Sequence, residues 1–458
     1  MTAARPVPPN TARSTLITSR CSPRMSAAGV VVLSLGATLA TPLPSAAAPA
    51  PCEQAESYAA ESGSQLFRLN KLDLRPTGID SEPTNDVGLA EAKSALIAAG
   101  TVNAAAVTRL LDAETLDDPL IQSAPPTSSH PVRRKTAGRA VGPFALGDGT
   151  LSSRARWDPG MACGAKTGDV TRAEATLATV GIGGDLVRVP GKAGTLSTTA
   201  LHAGARTVTT AAVQMRGLDL LCGAVHVRII RPPALLASMS TKGGGEIRYR
   251  PTALEVSGEG IKTTRLDTAG DDIEIAVGDD ATEPGTGRSA ESSTLGNLLS
   301  GLPKLSGLTK GSPLPLPAVP GVPPVDGPDS ESVQVTGPGT RLRIALGDVR
   351  QAESGHSIAA RATAIKIAIT QGKDHPGYGH DRPNRSGVVL DLDVGILAAA
   401  AAAPEPRAGG VRPATAGSGA GLPITGPRVD VLGMAGGALL IAGAVALTFG
   451  LRRRRFHP

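Results

Sequence analysis

Aromatic residues are scarce in this 458-residue chain, where phenylalanine, tryptophan and tyrosine together make up 2%. Rings therefore contribute little to any core, which must be aliphatic. The scarcity also weakens the case for a carbohydrate-binding surface, because such surfaces usually stack sugars on exposed rings. Trp157 and Tyr378 are the only candidates. Trp157 lies close to Cys163, and we predict it to be a core anchor.

Reactive motifs are missing as well. The sequence contains no HExxH, CxxC, P-loop or G-x-S-x-G pattern, and no GxGxxG that follows a strand. His375 and His380 flank a short loop without a third metal ligand. Asp391 and Asp393 alternate with apolar residues, which predicts an exposed strand face. His356 is predicted to lie in a solvated turn. We therefore expect no catalytic residue, no metal and no cofactor, and hence no enzyme.

The positive charge is confined to the two ends of the chain. Residues 1–48 carry four arginines and no acid, and residues 427–458 carry five arginines and one aspartate. Of the formal net charge of +6, the middle of the chain therefore holds −2. A nearly neutral middle argues against a nucleic-acid-binding protein.

The N-terminus has the three parts of a secretory signal peptide. A basic stretch is followed by an apolar run over residues 27–40 and by small residues up to Ala48. We predict that residues 1–48 are the signal peptide and that the mature chain begins between Ala48 and Pro51. The mature chain is then exported to an oxidising compartment.

Three cysteines remain after signal removal. Cys52 and Cys163 lie in polar, turn-like sequence, whereas Cys222 lies in the apolar context of a strand. We predict a Cys52–Cys163 disulfide, and we expect Cys222 to be free and buried as a small hydrophobic residue.

The C-terminus carries an ordered triple of features. A pentapeptide precedes an uncharged apolar run over residues 431–451, which is long enough to span a membrane as one helix, and a block of four arginines follows. Together these features resemble the LPxTG cell-wall sorting signal of Gram-positive bacteria. The pentapeptide is Leu422, Pro423, Ile424, Thr425 and Gly426.

The resemblance implies that this protein is a sortase substrate. A sortase would attack the carbonyl carbon of Thr425, release the chain from Gly426 onward and transfer the acyl group to a peptidoglycan precursor. Before cleavage the protein would be held in the membrane with a cytoplasmic C-terminus. Pro427 departs from an easily cleaved site because it stiffens the chain. The alternative is a membrane-retained single-span protein whose ectodomain binds a ligand or an envelope partner.

The Ala-, Gly- and Pro-rich composition, combined with the sorting signal, resembles that of surface proteins of high-GC actinobacteria. The segments LFRLNKLDLRPTG and WDPGMACG are similar to segments of secreted proteins of that group. This resemblance implies a location at the cell surface and no particular chemistry. We expect a structural or interaction role at the wall, with the extracellular ligand left open.

A repeated pattern organises the middle of the chain. The segments 89–95 and 346–352 share the order Leu, small, acid, apolar, base, polar, Ala, and each leads past a glycine into an Ala-rich segment. A looser copy begins at Leu196, and a fourth is predicted from Leu146. The composition of residues 86–112 alone favours two helices, whereas the repeat favours a hairpin, which we predict.

These patterns predict a mainly β fold with repeated hairpins, of sandwich or stacked-sheet type, plus one C-terminal transmembrane helix. The ectodomain is predicted over residues 49–402, with a Pro/Gly/Ser-rich loop or linker at 289–329 and a flexible stalk at 403–421 before the sorting signal at 422–458. Further strands are predicted by alternation and turn signals. They are 225–231, 246–250, 253–256, 261–266, 273–277, 341–346 and 388–394.

Overall fold

The computed structural model describes residues 56–112, 118–128, 130–204, 206–277, 319–320, 322–325, 335, 339–372 and 386–405. Within these residues the fold is mainly β, and all strand pairs are antiparallel. Helical structure among them is limited to three single 3-10 turns. These turns are Arg75–Thr77, Pro159–Met161 and Leu221–Gly223. The mainly β prediction is confirmed.

Sheet I joins the two ends of the described chain. Its strand order is β20-β21-β23-β24-β1-β2-β3-β4, and β22 pairs with β23 beside this path. The first and last strands are therefore central neighbours. The strands are β1 (Ala59–Leu72), β2 (Thr84–Ile97), β3 (Ala104–Leu111), β4 (Leu120–Ala124), β20 (Asp272–Val277), β21 (Thr340–Leu346), β22 (Val349–Ser354), β23 (Ser357–Gln371) and β24 (Gly387–Ala402).

Sheet II contains seven strands in the order β17-β16-β13-β12-β9-β8-β5. The strands that follow each other directly in the chain pair as hairpins, namely β8–β9, β12–β13 and β16–β17. Its strands are β5 (Val132–Thr136), β8 (Gly149–Ala155), β9 (Gly168–Leu177), β12 (Ala193–His202), β13 (Arg206–Gln214), β16 (Ala234–Ser240) and β17 (Gly244–Arg250).

Sheet III contains eight strands in the order β19-β18-β15-β14-β11-β10-β7-β6. The chain passes back and forth between sheets II and III, with only a few residues between the strands at each crossing. Each hairpin of sheet II therefore continues, after a bend, into strands of sheet III. The strands of sheet III are β6 (Arg139–Val141), β7 (Phe144–Leu146), β10 (Val180–Ile182), β11 (Val187–Val189), β14 (Gly217–Leu220), β15 (Val225–Arg231), β18 (Ala253–Gly258) and β19 (Ile261–Leu266).

The repeat produces both hairpins and bends. Residues 86–112 form the β2–β3 hairpin, which confirms the hairpin over the two helices. The copy from Leu196 forms the β12–β13 hairpin, whose turn glycine, Gly204, has a φ of 75°. The β22–β23 hairpin turns at Gly355, with a φ of 56°. A positive φ of this kind favours glycine because it has no Cβ.

The predicted fourth copy, from Leu146, is not the start of a hairpin. Leu146 ends β7, and Gly147 is the point at which the ribbon bends into β8. A Cβ at Gly147 would lie 2.5 Å from the hydroxyl oxygen of Thr179. The same Leu-Gly-Asp sequence follows β21, where a Cβ at Gly347 would lie 2.0 Å from the carbonyl oxygen of Thr363. The motif therefore marks a bend at which the backbone approaches a neighbouring segment too closely for a side chain.

The largest apolar cluster draws residues from all three sheets. Leu69, Leu392, Leu235 and Leu254, for example, are all fully buried in it. A smaller cluster surrounds Trp157, which is 8% exposed, so the predicted core anchor is confirmed. The chain thus builds its core almost entirely from aliphatic residues, as its aromatic content requires.

Buried hydroxyls also join sheets I and II. The hydroxyl oxygens of Ser62 and Ser197 lie 2.5 Å apart, and Ser197 also donates to the carbonyl oxygen of Ser62 at 2.9 Å. Ser94 donates to the carbonyl oxygen of Ser197 at 3.0 Å, and Thr209 donates to that of Glu61 at 3.1 Å. Short side chains reach the opposite backbone only when the two sheets lie close together.

The strands on either side of the predicted Pro-rich loop are neighbours. β20 pairs with β21 from Asp272↔Ala345 to Val277↔Thr340. Residues 319–320 and 322–325, the described part of the predicted 289–329 segment, contain neither helix nor strand. This pairing is the arrangement that one β-domain with an inserted loop requires. The domain boundaries themselves stay a prediction.

Candidate functional site

The sorting motif and its flanking span lie outside the described residues. Leu422 to Gly426, the apolar run 431–451 and the arginines after it are not described, and neither is the signal peptide at 1–48. His375, Tyr378 and His380 also fall outside. In the part of the chain that is described, no helix combines the length and apolarity needed to cross a membrane. The sorting and span predictions therefore stay predictions.

The cysteine prediction is tested only in part. Cys52 lies outside the described residues, so the Cys52–Cys163 disulfide stays a prediction. The nearby backbone favours it, because the amide of Glu56 donates to the carbonyl oxygen of Ala162 at 2.8 Å. This bond places Glu56, four residues after Cys52 in the sequence, beside Ala162, the residue before Cys163.

Cys222 is free, as predicted, but it is exposed rather than buried. It lies in the 3-10 turn after β14 with a φ of 57°, not within a strand. The apolar residues before it fill the core, and the turn then directs the chain outward. Partial burial still raises the pKa of the Cys222 thiol, as does the negative charge of Asp185.

A second group of polar residues lies on the outer face of sheet I. Asp391 and Asp393 of β24 share one donor, because the Asn70 amide nitrogen of β1 lies 3.2 Å from a carboxylate oxygen of each. Both aspartates are half-buried, so the prediction of an exposed strand face was wrong. Alternation places them on the outward face, but side chains of the adjacent strands shield them from water.

Burial raises the pKa of both carboxyls above the ordinary value. The hydrogen bond from Asn70 opposes this rise, as do the positive charges of Lys366 and Lys71 at Asp391 and of Lys366 and Arg68 at Asp393. The negative charge of Asp391 raises the pKa of Asp393 further. The cluster therefore combines partly desolvated carboxylates with several cations, which is an arrangement that can hold a sheet together as readily as it can move protons.

Replacing Asn70 with alanine should destabilise the protein in a pH-dependent way. Because the folded pKa values are raised, the folded state holds these protons more tightly than the unfolded state, and stability falls as pH rises through the titration. Losing the shared donor removes a hydrogen bond to each carboxylate, worth about 1–2 kcal/mol in total for such half-buried groups. We expect that loss in urea unfolding at pH 7 and a smaller loss near pH 4, where the carboxyls take up protons.

Asn85→Ala provides the control for this experiment. Asn85 lies on the neighbouring strand β2, opposite Lys71, and is exposed. Within the described residues its side chain makes no hydrogen bond to a carboxylate. Its loss should change stability by no more than about 0.5 kcal/mol at either pH. An Asn70→Ala effect that is the same at pH 4 and pH 7 would contradict the proposed link to the two carboxyls.

A buried ion network also lies on this face, and its two acidic and two basic side chains balance in charge. Arg109 lies 2.8 Å from Glu91 and 3.0 Å from Asp112, and Lys93 lies 2.8 Å from the other oxygen of Glu91. Burial alone would raise the pKa of Glu91, but the two cations beside it hold that pKa below its ordinary value. The network therefore fits a structural role for β2 and β3.

The third polar group forms a shallow cavity on the outer face of sheet II, with a volume of about 400 Å³. We call it the arginine patch. It lies on β5, β8 and β9, at one edge of the sheet. Its lining residues are Pro131, Arg133, Ser152, Arg154, Arg172 and Glu174.

Strand register places these side chains in two rows. Arg133 and Glu174 lie on either side of Ser152, and Arg154 lies directly opposite Arg172. Like charges that face each other across strands destabilise a ladder. Arg172 is compensated by Glu174 at 3.2 Å. Within the described part of the chain, Arg133 and Arg154 have no acidic partner.

The arrangement can therefore bind an anion. Guanidinium groups remain charged and donate paired hydrogen bonds that match the oxygens of phosphate or carboxylate. The sequence did not single out these arginines, because each looks like an ordinary exposed strand residue. Their convergence depends on the pairing of three strands, and sequence patterns do not fix that pairing.

The remaining described candidates are a histidine in a turn and an exposed histidine–aspartate pair. His356 lies in the turn between β22 and β23, as predicted. His226 and Asp219 form an exposed pair on sheet III, with Nδ1 2.8 Å from the carboxylate oxygen. No three His, Cys, Asp or Glu side chains gather as metal ligands among the residues that the structure describes.

Comparison with known proteins gives no further guidance to the site. No protein-family model matches this sequence, and comparison with curated proteins and with solved structures finds no match to it.

Proposed function

We propose that this protein is a secreted surface protein that a sortase links covalently to peptidoglycan, where the β-domain serves a structural or interaction role. The observation that carries the proposal is the ordered triple at the C-terminus: the Leu422–Gly426 pentapeptide, the apolar run and the arginine block. Each part has a separate physical task, namely recognition, retention in the membrane and a cytoplasmic stop.

The end of the fold is compatible with such an anchor. The amide of Ala403 donates to the carbonyl oxygen of His356 at 3.0 Å, so β24 is fixed up to its last residue. The predicted stalk begins there. Residues 404–425 reach at most about 75 Å when extended and average about 25 Å as a flexible coil. A tether of that length favours partners within or at the wall.

Replacing Thr425 with alanine tests the anchor. The substitution changes the recognition pentapeptide, so the protein should keep the span at 431–451 and become extractable by detergent. The wild-type protein should resist detergent and be released by muramidase. Immunoblots of the two extracts from each strain measure the difference.

Thr415→Ala in the stalk is the matched control and should leave wall attachment unchanged. If detergent extracts the wild-type protein at the full length of the chain without its signal, the sorting proposal fails. The membrane-retained single-span protein then takes its place.

A further inference from the structure

We propose that the arginine patch binds the phosphate groups of an extended anionic polymer. The inference deepens the proposed function, on which it rests for the location of this surface outside the cell. It names the chemistry of the partner.

The arginine patch gathers three guanidinium groups as hydrogen-bond donors. Arg133, Arg154 and Arg172 line one cavity of about 400 Å³, and the hydroxyl of Ser152 lies in the row between Arg133 and Glu174. A carboxylate has two oxygens, which one guanidinium fork satisfies. A phosphate group within a polymer has two charged non-bridging oxygens and two bridging oxygens in a tetrahedral arrangement. It can therefore accept from guanidinium groups on different sides, so three arginines around one cavity favour phosphate.

The positive charge of the arginine patch exceeds its negative charge, because three arginines and one glutamate line it. Arg154 and Arg172 face each other across β8 and β9, and Glu174 compensates only one of them. An anion bound between them would relieve this repulsion. Glu174 repels anions from its own side of the cavity, which places the phosphate on the Arg154 side of this pair.

The positive surface extends beyond the cavity itself. Lys135 and Arg156 are exposed and lie two residues beyond Arg133 and Arg154. Because β5 and β8 are antiparallel, they extend the charged face at its two opposite ends. Same-face neighbours on a strand repeat at about 6.6–6.8 Å. The positive surface is therefore a strip longer than one phosphate, which suits a polymer rather than a single ion.

The test measures binding of inorganic polyphosphate to the mature chain, residues 49–425, at fixed ionic strength. We expect the double variant Arg154→Gln/Arg172→Gln to raise Kd by about 10-fold or more, because charged hydrogen bonds are lost. Arg228→Gln/Arg265→Gln on sheet III removes the same charge elsewhere and should change Kd by less than about 2-fold. Unchanged thermal unfolding of both variants confirms that they are folded.

Two comparisons sharpen the result. Inorganic phosphate alone should bind far more weakly than polyphosphate, and polyglutamate should bind more weakly at equal charge. The proposal is overturned if wild-type protein does not bind polyphosphate, if polyglutamate binds as tightly, or if both double variants lose affinity equally. Because binding is measured on purified protein, its failure is separate from a failure of wall anchoring in the Thr425→Ala experiment.

Discussion

Residues 333–402 expressed on their own should remain unfolded or aggregate. In the whole protein β24 pairs with β1 along its length, and Leu390, Leu392 and Val394 are fully buried. The fragment lacks β1 and the strands of sheet II that cover this face. A few strands without a covering layer are marginal in water. Circular dichroism during heating should therefore show no cooperative transition, and a cooperative transition would show two independent domains.

A cut within the inserted segment provides the complementary experiment. A protease site introduced after Gly311 and cleaved in the folded protein should leave two pieces that migrate together on a native gel. They should separate only in denaturant, because β20–β21 and β1–β24 still pair. Spontaneous separation of the pieces would contradict the single-domain arrangement.

Replacing Ser197 with valine should destabilise the protein by about 3 kcal/mol, through overpacking and loss of buried hydrogen bonds. Ser197 is fully buried, and its hydroxyl both contacts and donates to Ser62 on the opposite sheet. Valine adds a branch where the two sheets lie close together. Urea unfolding measures the loss.

Two further variants separate volume from hydrogen bonding. Ser197→Ala removes the hydroxyl without adding volume and should cost about 1 kcal/mol. Thr198→Val changes the next residue, which faces outward and is half-buried, and should cost no more than about 0.5 kcal/mol. If valine at 197 costs no more than alanine, the gap between the sheets has room that the hydroxyl contacts do not indicate.

Local sequence patterns predicted the strands well because alternation and turn residues are local properties. The predicted strands 225–231 and 261–266 coincide with β15 and β19. Patterns were less informative where the chain bends. Leu-Gly-Asp at residue 146 resembled the start of a hairpin, but its glycine serves a close approach to Thr179, which is distant in sequence from the motif.

The polar residues show the same limit. Period-two alternation correctly placed Asp391 and Asp393 on the outward face, yet it gave no information about Asn70 and the cations on neighbouring strands that half-bury them. Cys222 follows an apolar strand, but a turn with positive φ exposes it. The arginine patch depends on strand register, which no single segment specifies.

The central position of β24 has a mechanical consequence for a chain held at its C-terminus. A pull beyond Ala403 acts along β24, which is bonded on both sides, to β1 and to β23, up to Ala402. The ladder bonds run across the strand and are therefore loaded together, in shear. Ala59 lies opposite Ala402, so a pull that separates the two chain ends would instead unzip β1 from β24 one bond at a time. With the proposed anchor at the C-terminus, tension towards a partner bound elsewhere on the domain would therefore act along the stronger direction of the fold.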